Sequence, residues 1–246
     1  MKTSNGLLVS VIAAVVLGIG TLAVAAQTPE LTVPQPTVPG VFTIKGQFVR
    51  IAYNNEGWVT LGYREANNSL VDKDWLMLEV GLTVRKPTKA QTITRDSFSV
   101  KLPDETMVPL ATQKEYMGAG YLGAVNMRAN TIRDSINYFP GDAHEACPMG
   151  FFSNPTNSRQ TLSFDQFEVS HQRGCLGRLF FKLPEGKKVE TGQYWLNVQF
   201  DGSEVQVPFR IMTKEEEKYF KKNWKNIKKE HEAFLKQEAE KAKQQQ

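Results

Sequence analysis

The sequence is poor in the residues that build metal sites and nucleophilic active sites. It holds two cysteines and three histidines among 246 residues, and it has neither a Cys-x-x-Cys pair nor a Gly-x-Ser-x-Gly motif. Without that serine motif, the strand-turn-helix elbow of α/β-hydrolases is not predicted. Without the close cysteine pair, the usual spacing of zinc sites and redox-active thiols is missing. These absences predict a non-catalytic protein that has no cofactor.

The sequence also lacks a basic body. Its formal net charge is +4, but residues 213–246 hold ten lysines and seven glutamates, and residues 3–212 hold 19 basic and 19 acidic residues. A protein that binds nucleic acid through its folded domain usually carries a basic patch there. We therefore expect no nucleic-acid partner.

The N-terminal segment is the one long apolar run in the sequence. Lys2 precedes the apolar stretch 7–26, near the end of which Ala23-Val24-Ala25 supplies the small-x-small pattern that signal peptidase accepts before Ala26 or Gln27. Residues 1–26 are therefore predicted to be a signal peptide, and the protein to be exported, either periplasmic or secreted. An uncleaved membrane anchor is the alternative, because residues 6–26 are long enough to span a bilayer. No cysteine follows the run, which argues against a lipid-modified N-terminus. Residues 27–45 are predicted to be a proline-rich linker.

The segment Asp74 to Val84 predicts the central strand of the fold. Apolar residues recur there at every second position, so one face of the strand is aliphatic, and the opposite face, which includes Glu79, is mixed. Similar alternation predicts strands around 49–53, 59–63, 94–102, 107–110, 179–183, 194–200 and 205–211. Asp201-Gly202 lies between the last two, which indicates a tight hairpin. Many short strands without a βαβ rhythm predict an all-β, antiparallel sandwich over residues 46–212.

Two further segments depart from the strand pattern. Residues 112–176 are predicted to be an insertion, partly helical, with a helix over Gly120 to Asn137. Residues 213–246 are predicted to be a single amphipathic helix that starts with a Thr213/Glu216 capping box. Its apolar stripe consists of Phe220, Trp224, Ile227, His231 and Phe234. We expect the stripe to dock residues 214–235 on the sandwich, because burying it is worth about 6–12 kcal/mol. Self-pairing and a membrane face are the alternatives, and the glutamates at 230, 232, 238 and 240 argue against the membrane.

Several of these segments together resemble a known group of domains. They are Gly62-Tyr63-Arg64-Glu65-Ala66-Asn67, the strand 75–83, Phe98-Ser99-Val100 before Pro103-Asp104, and Leu179-Phe180-Phe181-Lys182-Leu183-Pro184. The sequence in this respect resembles immunoglobulin-like β-sandwich domains of unknown function found in exported bacterial proteins. The resemblance covers about residues 46–212 and implies export and a sandwich fold. It implies no catalytic residues.

Four residues of the insertion are candidates for a bond or a site. Cys147 and Cys175 form the only cysteine pair, and in an exported protein such a pair is expected to be a disulfide. The alternative is a zinc site formed by His144, Cys147, His171 and Cys175. Glu79 is the one carboxylate singled out, and its ordinary role is that of a residue on a solvent-facing sheet surface. The insertion also concentrates aromatic residues that pack onto the sandwich or line a groove: Tyr116, Tyr121, Tyr138, Phe139, Phe151 and Phe152.

The sequence thus predicts an exported binding or structural module of the cell envelope that recognises a protein partner or an envelope component. A membrane contact is expected only through the export signal, if it stays uncleaved. The alternative is a metal-dependent hydrolase, or another enzyme, with its site in residues 139–177. That alternative requires His144, His171 and the two cysteines to converge.

Overall fold

A computed structural model describes residues 41–67, 71–128, 138–153 and 162–244. The predicted signal peptide and residues 27–40 of the predicted linker lie outside these ranges. The described part holds twelve strands in three sheets. The strands are β1 Val41–Gly46, β2 Val49–Tyr53, β3 Gly57–Gly62, β4 Trp75–Val84, β5 Gln91–Thr94, β6 Phe98–Lys101, β7 Met107–Pro109, β8 Glu145–Pro148, β9 Gln166–Val169, β10 Arg173–Lys182, β11 Gly192–Gln199 and β12 Glu204–Ile211. The helices are α1 Arg64–Asn67, α2 Gln113–Gly118, α3 Leu122–Arg128 and α4 Lys214–Gln244, with a 3₁₀ turn at Arg95–Ser97.

Two sheets pack against each other around one core. The larger sheet has the order β1-β2-β3-β4-β10-β8, the smaller has the order β12-β11-β6-β7, and β5 and β9 form a two-stranded sheet. Ring contacts cross the core, as between Tyr63 after β3 and Phe209 in β12, whose centroids are 5.3 Å apart. The prediction of a mostly β, two-layer domain is confirmed.

Strand β4 lies inside the larger sheet, as predicted, with β3 and β10 on its two sides. Its aliphatic row is buried between the sheets. The opposite face was expected to be mixed and half wet, yet Trp75, Met77 and Thr83 are buried as well. The insertion covers this side: the ring of Phe139 lies so close to Gly81 and Gly174 that a Cβ at either glycine would be about 3 Å from it. The expectation of a solvent-facing surface was wrong there because residues of the insertion form an extra layer.

The insertion contributes strands to the sheets and does not form a separate unit. β8 pairs with β10 in parallel, so the larger sheet is mixed, and the prediction of a wholly antiparallel fold needs correction. β10 begins at Arg173, so its first four residues, 173–176, lie within the predicted insertion 112–176. The predicted helix 120–137 is described only in its first half, where α3 covers Leu122–Arg128, and the remainder lies outside the described residues.

The predicted linker is too long at its C-terminal end. Val41–Gly46 forms β1, which pairs antiparallel with β2 at the edge of the larger sheet. Residues 41–45 therefore belong to the domain.

Helix α4 is continuous over Lys214–Gln244, and its predicted capping box is confirmed. The backbone N–H of Thr213 donates to Glu216 Oε2 at 2.9 Å, and the backbone N–H of Glu216 donates to Thr213 Oγ1 at 3.1 Å. Arg210 at the end of β12 also donates to Glu216, which fixes the direction in which the helix leaves the sheet.

The docking of α4 on the sandwich is confirmed for most of its apolar stripe. Phe220 and Ile227 are buried, Trp224 is half-buried, and Phe234 is 38% exposed. His231 Nε2 donates to the carbonyl oxygen of Phe42 in β1 at 3.0 Å. The helix therefore covers the inner face of the larger sheet at β1 and β2, beside β12.

A buried guanidinium lies beneath α4. Arg50 in β2 donates to the carbonyl oxygens of Gly46, Gln47 and Val49 and to the Tyr63 hydroxyl, and its guanidinium carbon is 5.7 Å from the centroid of Phe220. Burial lowers the pKa of Arg50 from its usual value. In the described ranges its partners are carbonyl oxygens, a hydroxyl and ring faces, so its charge is solvated by the fold itself.

The hairpin β11–β12 is held at its tip by a carboxylate from another turn. Glu56, between β2 and β3, accepts from the backbone N–H of Gly202 at 3.0 Å and from Gln91 Nε2 at 2.5 Å, and it also accepts from the Ser203 hydroxyl. Burial raises the pKa of Glu56, but these hydrogen bonds lower it by more. The pKa of Glu56 therefore lies below its usual value. The carboxylate of Glu56 therefore ties the tip of the β11–β12 hairpin to the turn between β2 and β3.

No helix within the described ranges is long and apolar enough to cross a membrane.

Candidate binding surface

The two cysteines form a disulfide, as predicted. Cys147 in β8 and Cys175 in β10 are directly paired neighbours in the larger sheet, with their Cα atoms 4.5 Å apart. Because both sulfurs are used in this bond, neither is available as the thiolate that zinc requires. The bond ties the edge strand β8 to the long strand β10.

The two histidines of the zinc hypothesis have other surroundings. His144 is exposed, and its Nδ1 donates to the carbonyl oxygen of Asp142 at 2.9 Å, whereas His171 is half-buried in the turn before β10. Among the residues that the structure describes, no group of three or more His, Cys, Asp or Glu side chains is arranged to hold a metal. Of the four candidates, only Cys147 and Cys175 are therefore brought together, by the disulfide.

Glu79 and the aromatic residues of the insertion have structural surroundings. Glu79 is half-buried and lies directly across from Arg178 of β10 in the larger sheet. Tyr116, Phe151 and Phe152 are buried in the core. Tyr116 and Phe152 both contact Phe180 of β10, so these rings attach the insertion to the outer side of the sheet.

The feature that sequence reasoning missed is the outer face of the smaller sheet. In β11, Tyr194, Leu196 and Val198 are buried in the core, so the alternate residues point away from it. Pairing with β6 and β12 places further side chains beside them, and β7 adds its own at the edge. We call the resulting surface the Trp195 face, and it consists of Gln193, Trp195, Asn197 and Gln199 of β11, Ser99 and Lys101 of β6, Met107 of β7, and Gln206 and Pro208 of β12.

Asn197 lies at the centre of the Trp195 face. It is only 4% exposed, and its Nδ2 donates to Ser99 Oγ at 3.3 Å and lies 3.9 Å from the sulfur of Met107. Its Oδ1 is buried and accepts no hydrogen bond from the residues that the structure describes. A buried acceptor without a partner costs about 1–3 kcal/mol, so it marks a place where a hydrogen bond from outside would be gained.

Trp195 is the second polar residue of this face without its hydrogen bond. Its ring is half-buried, and its Nε1–H is a buried donor that has no acceptor within the described ranges. Residues two apart on a strand point to the same side. The Trp195 face therefore holds one buried unpaired donor and one buried unpaired acceptor, on residues that are two apart in β11.

Two flexible side chains cover these groups. Lys101 Nζ lies 4.2 Å from the centroid of the Trp195 ring and is paired with Glu105 at 2.8 Å. Met107 lies beside Asn197 and is 49% exposed. A methionine has three rotatable bonds and a lysine has four, so both can turn aside at small cost.

The turn at the edge of the face is rigid and charged. Lys187 donates to Asp104 between β6 and β7, and with the hydrogen bonds from Thr106 this lowers the pKa of Asp104 to about 2. Glu105, which pairs with Lys101, has a positive φ of 67°. The carboxylate of Asp104 at this edge of the face is therefore charged at neutral pH.

The face could have been found from the outward register of β11. The sequence Gln193-Tyr194-Trp195-Leu196-Asn197-Val198-Gln199 alternates between apolar residues and a row of three amides and one tryptophan. Such a row resembles any solvated strand face, and only the structure shows the two unpaired polar atoms. No family model, curated protein or solved structure matches the chain.

Proposed function

We propose that the protein is an exported, non-catalytic binding module of the cell envelope, built on an immunoglobulin-like sandwich, that recognises an envelope glycan through the Trp195 face. The observation that carries the proposal is the pair of unsatisfied groups on one strand, the Nε1–H of Trp195 and the Oδ1 of Asn197. A hydroxyl group both donates and accepts hydrogen bonds, so a polyhydroxylated ligand can satisfy both.

The indole ring supplies the apolar part of such a site. A sugar ring has polar edges and a face of C–H groups, and an aromatic ring with one polar tip matches both. The amides around Trp195 add donors and acceptors, of which Gln193 and Gln199 at present bond to nearby carbonyl oxygens. This composition fits a glycan better than a charged or wholly apolar ligand.

The export part of the proposal is supported by the disulfide, because such bonds form and persist mainly in oxidising compartments. The immunoglobulin-like part is supported by two packed sheets with mainly antiparallel ladders. Two features depart from that family's pattern: the disulfide links strands within one sheet, and β8 and β10 are parallel. A hydrolase is not favoured by a specific observation, since it depended on a metal site that used the two thiols.

A binding assay on purified peptidoglycan sacculi tests the proposal. We expect the protein to sediment with the sacculi and to release no soluble fragments from them. Trp195→Ala should weaken binding at least tenfold, as expected for a central aromatic contact worth about 1.4 kcal/mol or more. Trp58→Ala is the matched control, because Trp58 is also a half-buried tryptophan on a strand, but on the larger sheet. Equal binding by both variants, or release of soluble fragments, would contradict the proposal. Capture of a protein partner through the same face would replace the glycan.

A further inference from the structure

The outward side of α4 carries a dense row of lysines. Between residues 218 and 229 there are six lysines and no acidic residue. All six are exposed. We call them the lysine face, and it consists of Lys218, Lys221, Lys222, Lys225, Lys228 and Lys229.

The fold holds this face in a fixed direction. Phe220 and Ile227 are buried against the sandwich, and His231 bonds to β1, so the helix cannot rotate about its axis. At 1.5 Å per residue, the six lysines extend over about 16 Å of one straight element. The positive charge is therefore presented as a compact, rigid array.

The charges of the lysine face are poorly compensated within the protein. Lysines four residues apart are neighbours on a helix, and three such pairs lie here: 218 with 222, 221 with 225, and 225 with 229. In the described part of the chain, the ion pairs include only one of the six lysines, Lys228, which is 3.7 Å from Glu232. Like-charge neighbours destabilise a helix slightly, and an external anion would relieve that repulsion.

The chemistry of the lysine face favours a flat surface that carries many negative charges over nucleic acid. The helix contains ten lysines and no arginine, so it lacks the planar fork that binds single phosphates in two-point contacts. Of its aromatic residues, Phe220 and Trp224 are on the docked side, Tyr219 is half-buried against the core, and Phe234 follows the lysine row, so no exposed ring lies between the lysines for stacking bases. Point charges on flexible stems suit a surface of many mobile phosphate groups.

We infer that the lysine face docks the protein on a membrane surface that contains anionic phospholipid. Because the apolar stripe is already buried, the contact is peripheral and electrostatic, without insertion of the helix. The glutamates that argued against a membrane at 230, 232, 238 and 240 come after the lysine row, and Glu232 is paired with Lys228. The contact uses a different surface from the Trp195 face and does not depend on glycan binding.

Vesicle co-sedimentation of the exported protein tests this inference. The probes are vesicles of phosphatidylcholine alone and vesicles with about one-third phosphatidylglycerol, whose negative surface potential attracts basic segments. We expect binding to the second kind only, and a decrease in binding as salt shortens the Debye length. The phosphatidylcholine vesicles register any contribution from the apolar N-terminal segment.

Charge-matched variants locate the contact. K218Q/K222Q/K225Q should lower partitioning about 100-fold, since each lysine contributes about fivefold. K86Q/K89Q/K188Q removes the same charge from three exposed lysines elsewhere and should bind like the unchanged protein. Trp195→Ala should also keep vesicle binding. Equal loss in both triple variants, equal binding to both vesicle types, or binding to duplex DNA without binding to vesicles would overturn the inference.

Discussion

Gly57 has the least room for a side chain among the described glycines. A Cβ built on it would overlap the ring of Phe200, which follows β11. The close approach of β3 to the aromatic ring from the smaller sheet is therefore possible only for glycine at this position.

We predict that Gly57→Ala destabilises the protein by about 2–3 kcal/mol, because the new methyl group forces the ring or the strand to move. Gly118→Ala is the control, since nothing lies within 4 Å of its Cβ position in α2. Urea denaturation measures both. The double variant Gly57→Ala/Phe200→Leu should recover part of the loss, and a purely additive result would show that the clash is not the cause.

His231 makes the stability depend on pH. Burial is the largest influence on the pKa of its imidazole and lowers it, and the positive charge of Arg50 lowers it as well. The hydrogen bond to Phe42 and the negative charge of Glu232 raise the pKa, but it stays below the usual 6.5. Between the two values the unfolded state binds more protons than the folded state, so stability falls as pH decreases. The stabilising contribution is complete above the unfolded pKa and is lost toward the folded one.

We therefore expect the melting temperature to fall more steeply between about pH 7.5 and pH 5 in the unchanged protein than in His231→Gln. Thermal denaturation followed by circular dichroism measures the slope. His144→Gln, in which an exposed histidine is replaced, should keep the slope of the unchanged protein. An identical slope in all three proteins would show that the protonation of His231 does not differ between the folded and the unfolded state.

Helix α4 completes the second layer of the sandwich. The smaller sheet ends at β12, and the helix continues the cover over β1 and β2, where Phe42 and Arg50 would otherwise be exposed. The helix is therefore expected to be part of the folded core in its first five turns.

Removing α4 by truncation after Met212 should lower the melting temperature of the monomer. Phe220→Ala should cost about 3 kcal/mol and Phe234→Ala less than about 1 kcal/mol, because Phe220 is 4% exposed and Phe234 is 38% exposed. Urea denaturation compares the two single variants. If the truncated protein were as stable as the full chain but lost a dimer or a partner, the helix would be an interaction element only.

The disulfide also stabilises the fold, because it links β8 to β10. Cys147 and Cys175 are 28 residues apart, and closing such a loop is worth about 3.5 kcal/mol in the chain-entropy account. Cys147→Ala/Cys175→Ala should lose about this free energy of unfolding, measured in urea. Thiol counting on the denatured, unreduced protein should find no free thiol; two reactive thiols with stoichiometric zinc would contradict the bond.

For the whole molecule, the sequence predicted those parts in which one periodicity dominates. Alternation located β4, β11 and β12, Asp201-Gly202 located the hairpin between the last two, and the Thr213/Glu216 box located the start of α4. In each of these the local pattern and the final packing agree.

The parts that were not predicted depend on partners far away in the chain. β8 and β9 have four residues each and exist because of pairing with β10 and β5. β1 is an exception, because its partner β2 is its neighbour in the chain, and it was assigned to the linker since it follows a proline-rich segment. The Trp195 face escaped prediction because its amides look like ordinary solvated residues until the hydrogen bonds of Asn197 and Trp195 are traced.

The claim that a glycan binds at the Trp195 face is tested most directly by the indole N–H signals in an NMR spectrum. The four tryptophans give four such signals, and Trp195→Phe identifies the one that belongs to Trp195. On addition of soluble peptidoglycan fragments, we predict that the Trp195 signal moves downfield as its unpaired N–H gains an acceptor, while those of Trp58, Trp75 and Trp224 stay in place. Binding of the fragments with the Trp195 signal unchanged would contradict the claim.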